Sequence, residues 1–211
     1  MKIYAFSGLG ADQRIFTYLN LDADLVPIRW IDPNADESLK SYANRLSEQI
    51  DTSSEFALLG VSFGGMLVSE LSHSLKPTKT ILVSSASTKH ELPWMADLAR
   101  KWSLAKKLPT PIFKPPVLAS YVGFPFNSKN RKVAKGIIKD TDPAFVQWAL
   151  DAIVHWENDR TPENMLHIHG RWDPIIPLKK QMNSIIIGRG HFIILKDAET
   201  LSARINQFLK S

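Results

Sequence analysis

Gly60-Val61-Ser62-Phe63-Gly64-Gly65, "GVSFGG", follows the apolar run Phe56-Ala57-Leu58-Leu59 and runs into Met66-Leu67-Val68. The chain has 10 glycines in 211 residues, and three of them fall within these six positions, around one serine. A buried strand that passes straight into a helix needs flanks without a Cβ, and such a turn leaves the serine hydroxyl exposed above the sheet. A helix starting at Phe63 also points its free N–H groups and its dipole at the same place. The alternative is an ordinary N-cap, a position that serine favours. Which reading holds depends on what the rest of the chain brings to that turn.

Working outward, short β-type runs alternate with helical periodicity. Lys2–Phe6, Leu25–Ile31, Phe56–Leu59, Thr80–Ser84, Met165–His169 and Ser184–Ile187 are predicted strands, short and rich in Ile, Val and Leu. Leu39, Tyr42, Ala43, Leu46 and Ile50 mark a helical face behind Asp36/Ser38, and Leu201, Ile205, Phe208 and Leu209 mark another. Six strands alternating with helices predict an α/β fold: a doubly wound, mostly parallel six-stranded sheet. The opening "MKIYAFSGLG" reads as the first strand rather than a secretion signal, because its apolar run is short and ends in glycines.

The alternation breaks between about Ser87 and Asn158. "LPTPIFKPP", "SYVGFPF" and "KNRKVAK" occur there, followed by helically spaced Phe145, Trp148, Ala149, Ala152, Ile153 and Trp156. This predicts a mostly helical insertion at 87–158 between core segments 1–86 and 159–211. Trp148 and Trp156 are expected in that insertion's own core. The net charge of +5 is concentrated here: residues 88–150 hold 11 Lys/Arg against 4 Asp/Glu. Such an excess is most often a solvated surface, and otherwise suits an acidic or phosphate-bearing substrate. No groove-reading motif accompanies it, so no nucleic-acid partner is expected. No apolar run is long enough for a membrane span. The absence of cysteine excludes disulfides and thiolate chemistry and points to a cytoplasmic location. The oligomeric state is not legible.

Eight of the 10 glycines lie in four loops that follow predicted strands: Gly8/Gly10, Gly60/Gly64/Gly65, Gly170 and Gly188/Gly190. In open α/β sheets, sites form at the carboxyl ends of the strands. A serine needs a base and an orienting acid to become a nucleophile. "HGRWDPIIP" supplies Asp173 just past a strand, and "GRGHF" supplies His191 just past the last one. In "SGLGADQR", Gly8 and Gly10 let the Leu9 N–H turn inward, where it would join the Phe63 N–H as an oxyanion hole.

Each residue also has a plainer reading. Asp173 suits the cap of a short helix, and His191 suits packing against Phe192. His167 and His169 share one face of a strand and are compatible with a metal pair, but no carboxylate cluster accompanies them. No metal is expected, and His169 is read as supporting the Asp173 loop.

Taken together, "FSGLGAD", "GVSFGG", "HGRWDPIIP" and "GRGHF", in that order, resemble the α/β-hydrolase superfamily across the chain outside the insertion. The resemblance implies a helical cap at the insertion and a serine hydrolase that cleaves a carboxylic ester of a small-molecule substrate. It implies Ser62 as nucleophile, His191 as base, Asp173 as acid, and the Leu9 and Phe63 amides as oxyanion hole, with no cofactor. A thioesterase for acyl-CoA or acyl-carrier substrates, a carbon–carbon bond hydrolase, and a receptor-like binding protein with little turnover are its alternatives. The chain departs from the family pattern in three ways. Ser7-Gly8 stands where His-Gly is usual, the sheet opens on the oxyanion strand without the N-terminal hairpin, and Asp173–Ser184 has room for about one helical turn.

Overall fold

The computed structural model describes residues 1–102, 140–179 and 182–211. The strands are β1 (Lys2–Phe6), β2 (Asp24–Pro27), β3 (Phe56–Val61), β4 (Lys79–Val83), β5 (Met165–His169) and β6 (Ile185–Ile186). They form one six-stranded sheet in the order β2-β1-β3-β4-β5-β6, and every pairing is parallel. All carboxyl ends therefore open on one rim. β3 and β4 are buried along their whole lengths, as central strands covered on both faces must be.

Among the described residues the α-helices are α1 (Leu39–Leu46), α2 (Phe63–Leu75), α3 (Trp94–Trp102), α4 (Pro143–Val154), α5 (Ile193–Lys196) and α6 (Ala198–Leu209). α1 starts where Ser38 Oγ accepts the Ser41 N–H at 3.2 Å. It buries Leu39, Tyr42, Ala43 and Leu46, the predicted face. Each large apolar side chain so buried contributes on the order of 1.5–3 kcal/mol relative to exposure. With α2 and α4 it builds the core on one face of the sheet. Leu201 and Ile205 of α6, the α5 residues, Ile15 and Phe16 build the core on the other. The wrap is thus doubly wound. None of the described helices is long and apolar enough to cross a membrane.

Besides shifts of one or two residues in the limits of β3, β4 and β6, the structure departs from the sequence reading in three places. β2 stops at Pro27, short of the expected Ile31: the Ile28 N–H still donates to Ala5 O at 2.8 Å, and its partner β1 ends one residue later at Phe6. The expected helical turn after Asp173 does not form among the described residues of that segment. Pro177 disfavours a helical conformation at Ile176, and Asp173 Oδ1 takes the Ile175 and Ile176 amides instead, at 2.8 and 2.9 Å. Among the described residues, Trp148 and Trp156 pack on the main core. Trp148 packs on Tyr42 of α1 with ring centroids 4.4 Å apart and donates Nε1–H to the Glu37 carbonyl at 2.9 Å. Trp156 donates to Glu70 of α2 at 2.7 Å.

Between β4 and β5 the described residues hold helices and turns but no strand. The runs "LPTPIFKPP", "SYVGFPF" and "KNRKVAK", with most of the basic excess, lie outside the described residues.

Candidate active site

At the end of β3 the chain makes a turn that only a strongly determined backbone tolerates. Ser62 has φ 53° and ψ −120°, a positive φ at a residue with a Cβ. Three hydrogen bonds fix it. The Ser62 N–H donates to Val83 O at 2.9 Å, and Ser62 O accepts from the Gly65 N–H at 2.9 Å and from Ser85 Oγ at 2.6 Å. Gly64 is required by close approach, since a Cβ there would collide with the carbonyls of Phe6 and Ser7 at the end of β1. That approach presses the start of α2 against the turn that carries Leu9.

The Ser7–Ala11 turn is held from within. Ser7 Oγ donates to Ala11 O at 2.9 Å and the Ala11 N–H donates to Gly8 O at 2.9 Å, while Trp30 Nε1–H donates to Ala11 O at 3.0 Å. Here Ser7 stitches its own turn, which explains how the loop is ordered without the usual histidine. A Cβ placed on Gly8 would lie 3.4 Å from Ser62 Cβ, so the turn sits directly against the serine. Neither the Leu9 nor the Phe63 N–H has an acceptor among the described residues. From the segment between β4 and β5, Thr141 Oγ1 donates to Gly10 O at 3.2 Å, and Asp140 pairs with Arg14 at 2.8 Å. A cleft of about 210 Å³ opens beside the turn, between Trp30, Phe145 and Thr141.

Two further loops bring Asp173 and His191 to the same point. The Gly170 and Gly190 backbones touch so closely that a Cβ on Gly170 would overlap the Gly190 carbonyl. The Trp172 N–H donates to Arg189 O at 2.6 Å, which ties the loop after β5 to the loop after β6. Asp173 Oδ2 accepts from His191 Nδ1 at 2.7 Å, and His191 Nε2 lies 2.9 Å from Ser62 Oγ. A carboxylate only accepts, so the imidazole proton sits on Nδ1. The Nε2 lone pair is left to receive the Ser62 hydroxyl proton.

Burial by itself would raise the Asp173 carboxyl. Hydrogen bonds from His169 and His191, the charge of His191 and the Ile176 N–H outweigh it and hold the carboxyl well below the usual range. It is therefore an acceptor throughout the neutral range.

The five residues singled out in the sequence are thus gathered at one rim: Ser62, Asp173 and His191 through side chains, Leu9 and Phe63 through backbone at the adjoining turn and helix start. His167 and His169 both present Nε2 to carbonyls, of Ser85 at 3.0 Å and Ile176 at 2.8 Å. Among the described residues no group of three His, Cys, Asp or Glu is placed to hold a metal ion. The sequence reading missed Ser85 and Trp30. Ser85 was reachable, because it follows β4, the strand beside β3.

This topology and rim define the α/β-hydrolase fold, and comparison with solved structures agrees. An esterase from Thermogutta terrifontis is similar over 100% of this chain and 89% of its own, at 14% identity and a TM-score of 0.76. The esterase EaEST from Exiguobacterium antarcticum is similar over 100% and 92%, at 16% identity and a TM-score of 0.76. MenH from S. aureus is similar over 100% and 93%, at 16% identity and a TM-score of 0.69. No family model matches the sequence, and no curated protein is significantly similar to it.

Proposed function

We propose that the protein is a serine hydrolase that cleaves a carboxylic ester through an acyl-enzyme. The observation that carries this reading is the hydrogen-bonded series Asp173–His191–Ser62, at 2.7 and 2.9 Å. His191 Nε2 takes the proton as Ser62 Oγ attacks the carbonyl carbon, and Asp173 keeps the imidazole in the competent tautomer. The tetrahedral oxyanion rests on the Leu9 and Phe63 N–H groups, which have no other acceptor among the described residues. The ester C–O bond then breaks, and His191 hands its proton to the departing alkoxide. Water enters, gives a proton to His191 and attacks the acyl carbon. Ser62 leaves with that proton, and the acid is released.

Two of the similar solved structures are described as esterases, which favours an ester over other acyl substrates. A second reading rests on the charge of residues 88–150, with 11 Lys/Arg against 4 Asp/Glu: a phosphate-bearing acyl-CoA thioester would suit it. One experiment addresses both. A fluorophosphonate probe should label the protein, and Ser62→Ala should abolish labelling while leaving the circular dichroism unchanged. Turnover of nitrophenyl esters against acyl-CoA thioesters of graded length then assigns the substrate. A protein that neither labels nor turns over any of them would contradict the hydrolase reading.

A further inference from the structure

Behind the candidate triad lies a second set of polar groups that the mechanism does not use. His169, the last residue of β5, is 0% exposed. Its Nε2 is 2.8 Å from Ile176 O and 3.3 Å from Asp173 Oδ2. Ile176 O can only accept, so the proton is on Nε2 and is shared between that carbonyl and the carboxylate. Its Nδ1 is buried with no partner among the described residues.

Ile176 is gripped from both ends, its N–H by Asp173 Oδ1 and its carbonyl by His169. The carboxylate thus has four donors: two backbone amides on Oδ1, with His191 and His169 on Oδ2.

His169 is itself backed by His167, whose ring meets it edge-on at 5.5 Å. His167 donates to Ser85 O, and Ser85 Oγ donates to Ser62 O. The acid loop and the nucleophile turn are therefore joined underneath the sheet rim as well as across it through His191.

We propose that His169 is a positioning residue, which fixes the Asp173 carboxylate in the plane where it can hold the His191 imidazole. The inference rests on the proposed roles of Ser62, His191 and Asp173. Without the Nε2–H, the Ile176 carbonyl loses its donor, Oδ2 loses one of its two, and the carboxylate rotates more freely about its own bond.

Gln and Asn variants separate this role from mere filling of space. The amide nitrogen of Gln reaches about where imidazole Nε2 lies, and that of Asn only about where Nδ1 lies. His169→Asn and His169→Leu should lower kcat by about 10–100-fold with KM within about twofold, the range seen when a supporting hydrogen bond is lost or a reacting group is misplaced. His169→Gln should recover most of that rate.

A readout independent of turnover is the far-downfield His191 Nδ1 proton resonance, recorded on the Ser62→Ala background. It should be sharp with His or Gln at 169, and broadened by water exchange with Asn or Leu. Equal kcat in Asn and Gln variants, or a resonance unaffected by Asn, would overturn the proposal. If the wild type hydrolyses nothing, the resonance still decides about His169, so the two failures remain distinct.

Discussion

His167 shows how one buried side chain sets the acid tolerance of the fold. It is 2% exposed, and burial, helped by the neighbouring His169 and opposed by its bond to Ser85, lowers its pKa from 6.5 to about 4. In the unfolded chain it takes up a proton near the usual value of about 6.5. Between those two values the unfolded state binds more protons, so stability is full above about pH 6.5 and is lost as the pH falls toward about 4. Asp173, with its lowered pKa, acts in the same direction but only once an unfolded-chain Asp begins to protonate, below about pH 5. A comparison of melting between about pH 7 and 5 therefore separates His167 from Asp173, and the histidine's contribution over that interval is roughly 2 kcal/mol. His167→Gln keeps an N–H for Ser85 and removes the titration, so its melting temperature should fall less over that interval than that of the wild type. An identical fall in both proteins would contradict the assignment. At this scale Ser62, Asp173 and His191 were legible as candidates because each follows a strand end and lies among glycines. Ser85 carried only the weaker signal of its place just after β4, because a serine that supports a backbone carbonyl has no motif of its own.

At the scale of elements, the runs of β1 and β5 gave strand limits that coincide with the structure, since Ser7-Gly8 closes the first, and Asn164 and Gly170 bracket the second. The limits of β3, β4 and β6 shifted by one or two residues, and β2 ended early where its partner β1 runs out. Pro177 kept the loop after Asp173 out of a helix although its length allowed one turn. The pattern of α4 was legible, but its partner was not: helical spacing names a buried face without saying what covers it. That face meets Tyr42, Phe63 and Trp30 of the main core, through Phe145 and Trp148. Trp148→Ala removes a half-buried ring and leaves the Glu37 carbonyl without its donor. It should cost about 2–4 kcal/mol, somewhat below the range for a fully buried tryptophan. Because α4 shares the core of α1 and α2, the loss should appear as one cooperative transition at lower temperature, by both circular dichroism and fluorescence. Two separate transitions would mean that α4 folds apart from the sheet.

For the whole molecule, parallel topology is what makes the site possible. Loops after β1, β3, β5 and β6 each deliver one component, and the loop after β4 delivers the serine that steadies the Ser62 turn. Long-range pairing of this kind gathers groups more than a hundred residues apart, and no short fragment reproduces it. Whether that rim hydrolyses an ester is decided by the probe and substrate panel, and the tether beneath it by the variants at 169.

The sheet is not equally secure across its width. β6 has two residues, both about 40% exposed, and among the described residues it has a neighbouring strand on one side only. The imidazole at 191 hangs from this fringe, whereas the hydroxyl at 62 is rooted in the centre. Mild denaturant should therefore unhook the fringe while the interior stays intact. Amide exchange at Ile187 should outpace that at Leu59 and Ile81, and carbethoxylation of the 191 ring should rise before the circular dichroism changes. Equal protection at edge and centre would show that the hem is stitched as firmly as the cloth.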